Sequence, residues 1–183
     1  MSTFLTGVDM SILQYLFAHR DITTTLFFIC ISELGSTIFV CGIALCVGLL
    51  LVYRRTFALA VGLAVSVLGS GAAALLVKEL VHRTRPEVAY QAYLETGFSF
   101  PSGHATLAAA LYGFLIYLTY RMLPAGYART TALTVCTLLI ALITFSRLYL
   151  GVHYLSDVIG GLLLGGLFVW IGHVVAGKIE RRN

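Results

Sequence analysis

The chain has 183 residues, of which 59% are hydrophobic and 11% charged, and its mean hydropathy is +0.93. A soluble domain carries about a quarter charged residues, so composition excludes both a water-soluble globular protein and a disordered one. The net charge of +4 would suggest nucleic acid for a soluble chain, but the basic residues are scattered between apolar runs and form no stripe, so no nucleic-acid partner is expected.

In chain order, the start lacks the basic stretch and small-residue cleavage site of a removable signal peptide, and none is expected. Ile12, Leu13, Leu16 and Phe17 recur at helical spacing between polar residues, which predicts an amphipathic helix lying at a membrane surface. The run from Ile22 to Ser32 is too short to cross alone and reads as re-entrant or as an extension of the next segment. Apolar runs then follow at Ser36 to Tyr53, Phe57 to Val77, Ala105 to Tyr120, Thr130 to Phe145 and Val158 to Gly177. None alternates like a barrel strand, and lipid offers no partner to backbone groups, so each should be a helix. The expectation is one all-α domain over residues 1–183, a polytopic transmembrane bundle with five full spans, with a sixth crossing left open.

The four cysteines, Cys30, Cys41, Cys46 and Cys136, lie in apolar runs without metal-ligand spacing and read as small buried hydrophobes. Gly160, Gly161, Gly165 and Gly166 predict a close helix contact in the last span, within a monomer or between two copies. Tyr53, Tyr120, Tyr127, Tyr149 and Tyr154 lie near span ends, as an aromatic belt would. With five spans, Arg54, Arg55, Arg121, Arg129, Lys178, Arg181 and Arg182 share one side, which the excess of basic residues makes cytoplasmic. Two spans separate the end of the second from the end of the fourth. The segments that follow Lys78 and Arg147 therefore emerge together on the opposite, extracytoplasmic face.

Those segments hold the residues suited to chemistry. Lys78 and Arg85 are two helical turns apart, so they can share a face until Pro86 ends the helix. Arg147 adds a third cation, and an Arg fork suits phosphate oxygens. Ser102 after Pro101 reads as a helix N-cap, with the Gly103 and His104 amides opening an anion cradle. His153 and Asp157, four apart, place a carboxylate beneath one imidazole nitrogen and leave the other free. His104 remains available as a general acid. Two imidazoles and three cations supply nucleophile, acid and charge neutralisation, so no metal or other cofactor is expected.

Three blocks carry these residues: Lys78 with Arg85-Pro86, Pro101-Ser102-Gly103-His104, and Ser146-Arg147 followed by His153 and Asp157. Together they resemble the signature of the type 2 phosphatidic acid phosphatase family, without a substitution or a change of spacing. The resemblance covers residues 78–157 and implies a membrane lipid phosphatase working through a phosphohistidine. It implies His153 as nucleophile, Asp157 as its orienting partner and His104 as acid and then base. Lys78, Arg85, Ser102, Gly103 and Arg147 would be phosphate ligands, and the family works without a metal. The implied partners are membrane lipids and a lipid phosphate substrate such as phosphatidic acid, phosphatidylglycerol phosphate or undecaprenyl diphosphate. Family members acting on polyprenyl substrates often carry Asp at the position of Gly103, which tilts the reading toward glycerophospholipids. The implied location is the bacterial cytoplasmic membrane.

Other readings have their own signatures. A phosphotransferase would share the first half-reaction and pass the phosphoryl group to a lipid hydroxyl. A lipid or anion transporter would place its charges near mid-membrane and show internal repeats, whereas here they sit at span ends. Arg83 lies outside the matching positions; a substrate or headgroup contact is one reading, and its role stays open. The stretch from Glu87 to Phe100 lacks a span and reads as a lid or an interfacial helix.

Overall fold

The computed structural model describes residues 3–181, and every regular element among them is helical. The helices are α1 (Thr3–Ala18), α2 (Ile22–Glu33), α3 (Thr37–Tyr53), α4 (Phe57–Val81), α5 (Gly103–Met122), α6 (Tyr127–Tyr149) and α7 (Leu155–Glu180). A wide π turn over Val65–Gly69 interrupts the regular winding of α4.

Three helices, α4, α6 and α7, are long and apolar enough to cross a bilayer. The α2 and α3 helices meet at a 42° bend and together make a fourth such unit. The short run before the first expected span is therefore joined end to end with it, as a broken span or a re-entrant pair. The expected third span corresponds to α5, a 20-residue helix that is not among those apolar enough to cross by composition. Its position explains the difference: every residue from Ala105 to Tyr112 is buried, so α5 meets protein where the outer helices meet lipid.

Close packing sets α5 against α7. A Cβ at Gly161 would lie 2.7 Å from the Ser102 carbonyl oxygen, and one at Gly165 would lie 2.5 Å from that of Thr106. Such approaches admit only glycine, and they hold the start of α7 against the start of α5. Gly166, expected to share the stripe, faces open space instead.

Against the expectation for α1, this helix does more than lie on a surface. Its Leu13 is buried, and so is Asp9 at 3% exposure. The helix packs on α6, α7 and the single 3-10 turn at Val88–Tyr90. That turn is the only regular element of the 87–100 stretch, so no interfacial helix forms there.

Candidate active site

At the end of the bundle where α4 and α6 finish and α5 and α7 begin, all three blocks converge. Lys78 occupies the last turn of α4 and donates to the Phe98 carbonyl. The helix stops at Val81, where His82 takes a left-handed conformation (φ 49°) and donates its N–H to the Lys78 carbonyl. Lys78 and Arg85 therefore do not share a helical face as expected. Arg85 precedes Pro86, which disfavours helical backbone, and it reaches the site from a loop. Its guanidinium donates to Thr96 O and Gly97 O at 3.1 Å each and to Val152 O at 3.0 Å.

Arg147 is fully buried on α6. One of its terminal nitrogens donates to Ser32 Oγ and, at 2.6 Å, to Tyr93 Oη, while the other pairs with Glu95. Glu95 also lies 3.6 Å from Arg85. Burial by itself would raise the Glu95 carboxyl, but Arg147 and Arg85 outweigh that and hold it below its ordinary value. An anion approaching these two guanidiniums competes with a carboxylate already on them.

His153 and Asp157 meet, though not as two residues of one helix. His153 sits in the turn ahead of α7, whose N-cap is Tyr154. Gly151 makes that turn with φ +68°, and a Cβ there would lie 2.1 Å from Tyr90 O. Asp157 stands in the first helical turn and accepts from the Tyr154 N–H at 2.9 Å. Its Oδ2 lies 3.6 Å from His153 Nδ1, and Ser99 links the pair, donating to Oδ2 with its own Oγ 3.4 Å from Nδ1. The other ring nitrogen, Nε2, faces Arg85 Nη1 at 3.2 Å. Burial, helped by Arg147 and Arg85 and opposed by Asp157, pushes the imidazole down to about 4. At neutral pH the ring is uncharged and carries a lone pair.

Ser102 is the N-cap of α5 by position, but its hydroxyl makes no capping bond. Its Oγ is buried without a partner among the described residues. The backbone tie to α7 comes instead from its N–H, which donates to Asp157 O at 3.0 Å. A Cβ at Gly103 would meet nothing within 4 Å, so the cradle ahead of α5 has room. His104 follows in the same first turn, and no hydrogen bond reaches its ring among the described residues.

An apolar cavity of about 240 Å³ runs between α3, α4 and α5, lined by Cys41, Val67, Leu68, Leu75 and Leu107, and it includes Lys78 and Gly103 in its wall. A second cavity of about 400 Å³ shares Cys41, Val67 and Leu68 with it and continues to Val52 and Ala60. Together they connect the cationic end with the apolar depth of the bundle.

Residues that sequence reasoning passed over complete the site: Ser32, Tyr93, Glu95 and Ser99. Arg83, whose role the sequence left open, bonds Asp157 Oδ1 at 2.5 Å and Asp9 Oδ2 at 2.7 Å. The faint signals were the acid Glu95 between two basic blocks and the acid Asp9 inside an otherwise uncharged run.

A family model described as the PAP2 superfamily matches residues 55–181. Phosphatidylglycerophosphatase B of Bacillus subtilis (strain 168) is 36% identical over 107 residues, 58% of this chain and 52% of that protein. Decaprenylphosphoryl-5-phosphoribose phosphatase of Mycobacterium tuberculosis (strain H37Rv) is 36% identical over 116 residues, 60% of this chain and 57% of that protein. The matches thus span little more than half the length of these curated relatives. Among solved structures, the transmembrane PAP2 type phosphatidylglycerolphosphate phosphatase from Bacillus subtilis superposes with a TM-score of 0.88 at 27% identity, covering 100% of this chain and 90% of that one.

Proposed function

The chain belongs to the PAP2 superfamily, and from that premise we propose that it is a lipid phosphatase that transfers the terminal phosphoryl group of its substrate to His153 and then to water. The observation that carries this reading is the buried His153 ring, backed by Asp157 and Ser99 on Nδ1 and facing Arg85 through Nε2. A neutral imidazole with its far nitrogen held by a carboxylate is an activated nucleophile.

In the first step Nε2 attacks phosphorus, a P–N bond forms, and the P–O bond to the lipid breaks. His104, at the start of α5, supplies the proton that the leaving alkoxide needs. Burial, with Arg147 and Arg85, opposes a proton on His104, and a dianionic phosphate bound beside these cations offsets that repulsion. The same cations, with the unpartnered Ser102 hydroxyl and the α5 N-terminal amides, neutralise charge on the transferring group. In the second step water attacks the phosphohistidine, His104 takes its proton, and inorganic phosphate leaves.

The substrate class is a phosphate ester or diphosphate of a membrane lipid, with a glycerophospholipid such as phosphatidylglycerol phosphate or phosphatidic acid preferred. The apolar cavities beginning at Lys78 and Gly103 offer a path for a chain, and a curated relative and a solved structure from Bacillus subtilis both carry phosphatidylglycerophosphatase names. The site faces away from the cytoplasm of a bacterial inner membrane. Arg54, Arg55, Arg121, Lys178 and Arg181, exposed at the opposite end, support that orientation.

Phosphate release from a panel of these lipids, in detergent with chelator present and no acceptor alcohol, tests the reading. We expect turnover without added metal, and no trapped phosphoenzyme in the His153→Ala variant. A phosphoenzyme that persists in that variant would overturn the assignment of the nucleophile.

A further inference from the structure

Asp9 carries the only charge among the first eighteen residues. It is 3% exposed, and removing a carboxylate from water costs several kcal/mol unless partners compensate. Its Oδ1 accepts the Ser156 N–H at 3.0 Å, and its Oδ2 accepts from Ser156 Oγ at 2.5 Å and from Arg83 Nη2 at 2.7 Å. The other terminal nitrogen of that guanidinium, Nη1, bonds Ser156 Oγ at 2.6 Å and Asp157 Oδ1 at 2.5 Å. Tyr154 backs the group, its ring centroid 4.4 Å from the Arg83 carbon. One cation from the loop after α4 thus bridges a carboxylate on α1 and the carboxylate that faces His153.

We propose that Asp9 and Arg83 are positioning residues, which orient Asp157 toward His153 and set how much of its negative charge the imidazole feels. The inference rests on His153 as the nucleophile for its catalytic meaning. Arg83 holds Oδ1, so Oδ2 is the oxygen left to Ser99, the Tyr154 N–H and His153 Nδ1. As Nε2 bonds to phosphorus the ring becomes cationic, and Asp157 stabilises that charge. A guanidinium bound to Asp157 alone would cancel much of this help. Asp9 draws part of the cation's field to itself and leaves Asp157 effectively anionic. A contact that merely stapled α1 to α7 would need only Asp9 and Ser156.

The charged and titratable groups around the ring are Arg85 and Glu95 from the loop, Arg147 from α6, His104 from α5 and Asp157 from α7. Of these, Asp157 alone bonds Arg83, and none of the others bonds Asp9 or Arg83. The two changes therefore have opposite signs at His153. Asp9→Asn gives Arg83 wholly to Asp157 and makes the ring harder to protonate. Arg83→Gln frees Asp157 of its cation and makes the ring easier to protonate.

Full-length protein in detergent, with labelled histidine followed by NMR, reads this without requiring turnover. Relative to the parent, the His153 titration should move to lower pH in Asp9→Asn and to higher pH in Arg83→Gln. Arg83→Lys, which keeps the charge, should stay near the parent. On aryl phosphate, Asp9→Asn should slow rapid-quench phosphoenzyme formation about tenfold or more with KM nearly unchanged. Asp9→Asn combined with Arg83→Gln should cost no more than Arg83→Gln alone. Titrations that stay in place, or that move in the same direction, would reduce the pair to a staple for α1. Should Asp9→Asn not fold, identical titrations in Arg83→Lys and Arg83→Gln would overturn the proposal equally. Titrations that shift as expected in a protein that never forms phosphoenzyme would sink the catalytic reading and leave the coupling standing.

Discussion

At one end of the bundle Arg147 is fully buried and bonded to Ser32, Tyr93 and Glu95, while at the other Arg121 is 47% exposed and, among the described residues, pairs with Glu180 at 3.0 Å. Both residues lie in the last turn of an apolar helix. What separates them is the company: the end with the candidate site has a long loop, residues 82–102, folded back over it, and the opposite end has short turns open to solvent. A cation in water is hydrated and interchangeable, whereas one enclosed with Ser, Tyr and Glu partners is fixed in direction and little screened. The same residue type is thus solvated at one end and fixed by partners at the other.

The sharpest way to break this contrast is Arg147→Ala. Removing one partner of a buried ion pair costs on the order of 3–5 kcal/mol, and losing a charge-stabilising donor costs about 10²- to 10³-fold in turnover. Stability in detergent and kcat on a lipid phosphate should both fall, and a variant that kept both would show that burial had not distinguished Arg147. A smaller effect is expected from pH. The parent His153 ring should stay neutral on NMR titration until about pH 4, and protonation near the ordinary 6.5 would contradict its enclosure. Because the folded ring resists a proton that the unfolded chain accepts, stability should decline as pH falls from about 6.5 toward 4 and then level off. The smallest effect is at the far end: Arg121→Ala should change stability by about 1 kcal/mol or less and leave kcat untouched.

The same contrast accounts for what could be read in advance. Apolar runs announce helices because lipid leaves the backbone no alternative, and motif residues announce a site because three cations and two imidazoles have few other uses. Local geometry was harder. Lys78 and Arg85 looked like two residues of one helix because a seven-residue spacing cannot reveal the left-handed step at His82. His153 and Asp157 met as expected, but across a helix start. Ser99 and Glu95 carry no periodic signal because a loop has no period. The bond from Arg83 to Asp9 joins positions 74 apart, and the one from Ser156 to Asp9 joins positions 147 apart, beyond the reach of any local pattern.

For the lipid phosphatase proposed above, Glu95 has a further consequence. With its carboxylate on Arg147 and Arg85, occupying the site is an exchange of one anion for another, and affinity measures only the difference between them. A lipid phosphate monoester brings up to two negative charges and can displace a carboxylate that has one. The phosphodiesters that make up the surrounding bilayer bring a single charge and gain nothing in the exchange. On the proposed function, Glu95 would set a threshold of charge that favours a terminal phosphate over the phosphodiester headgroups around it.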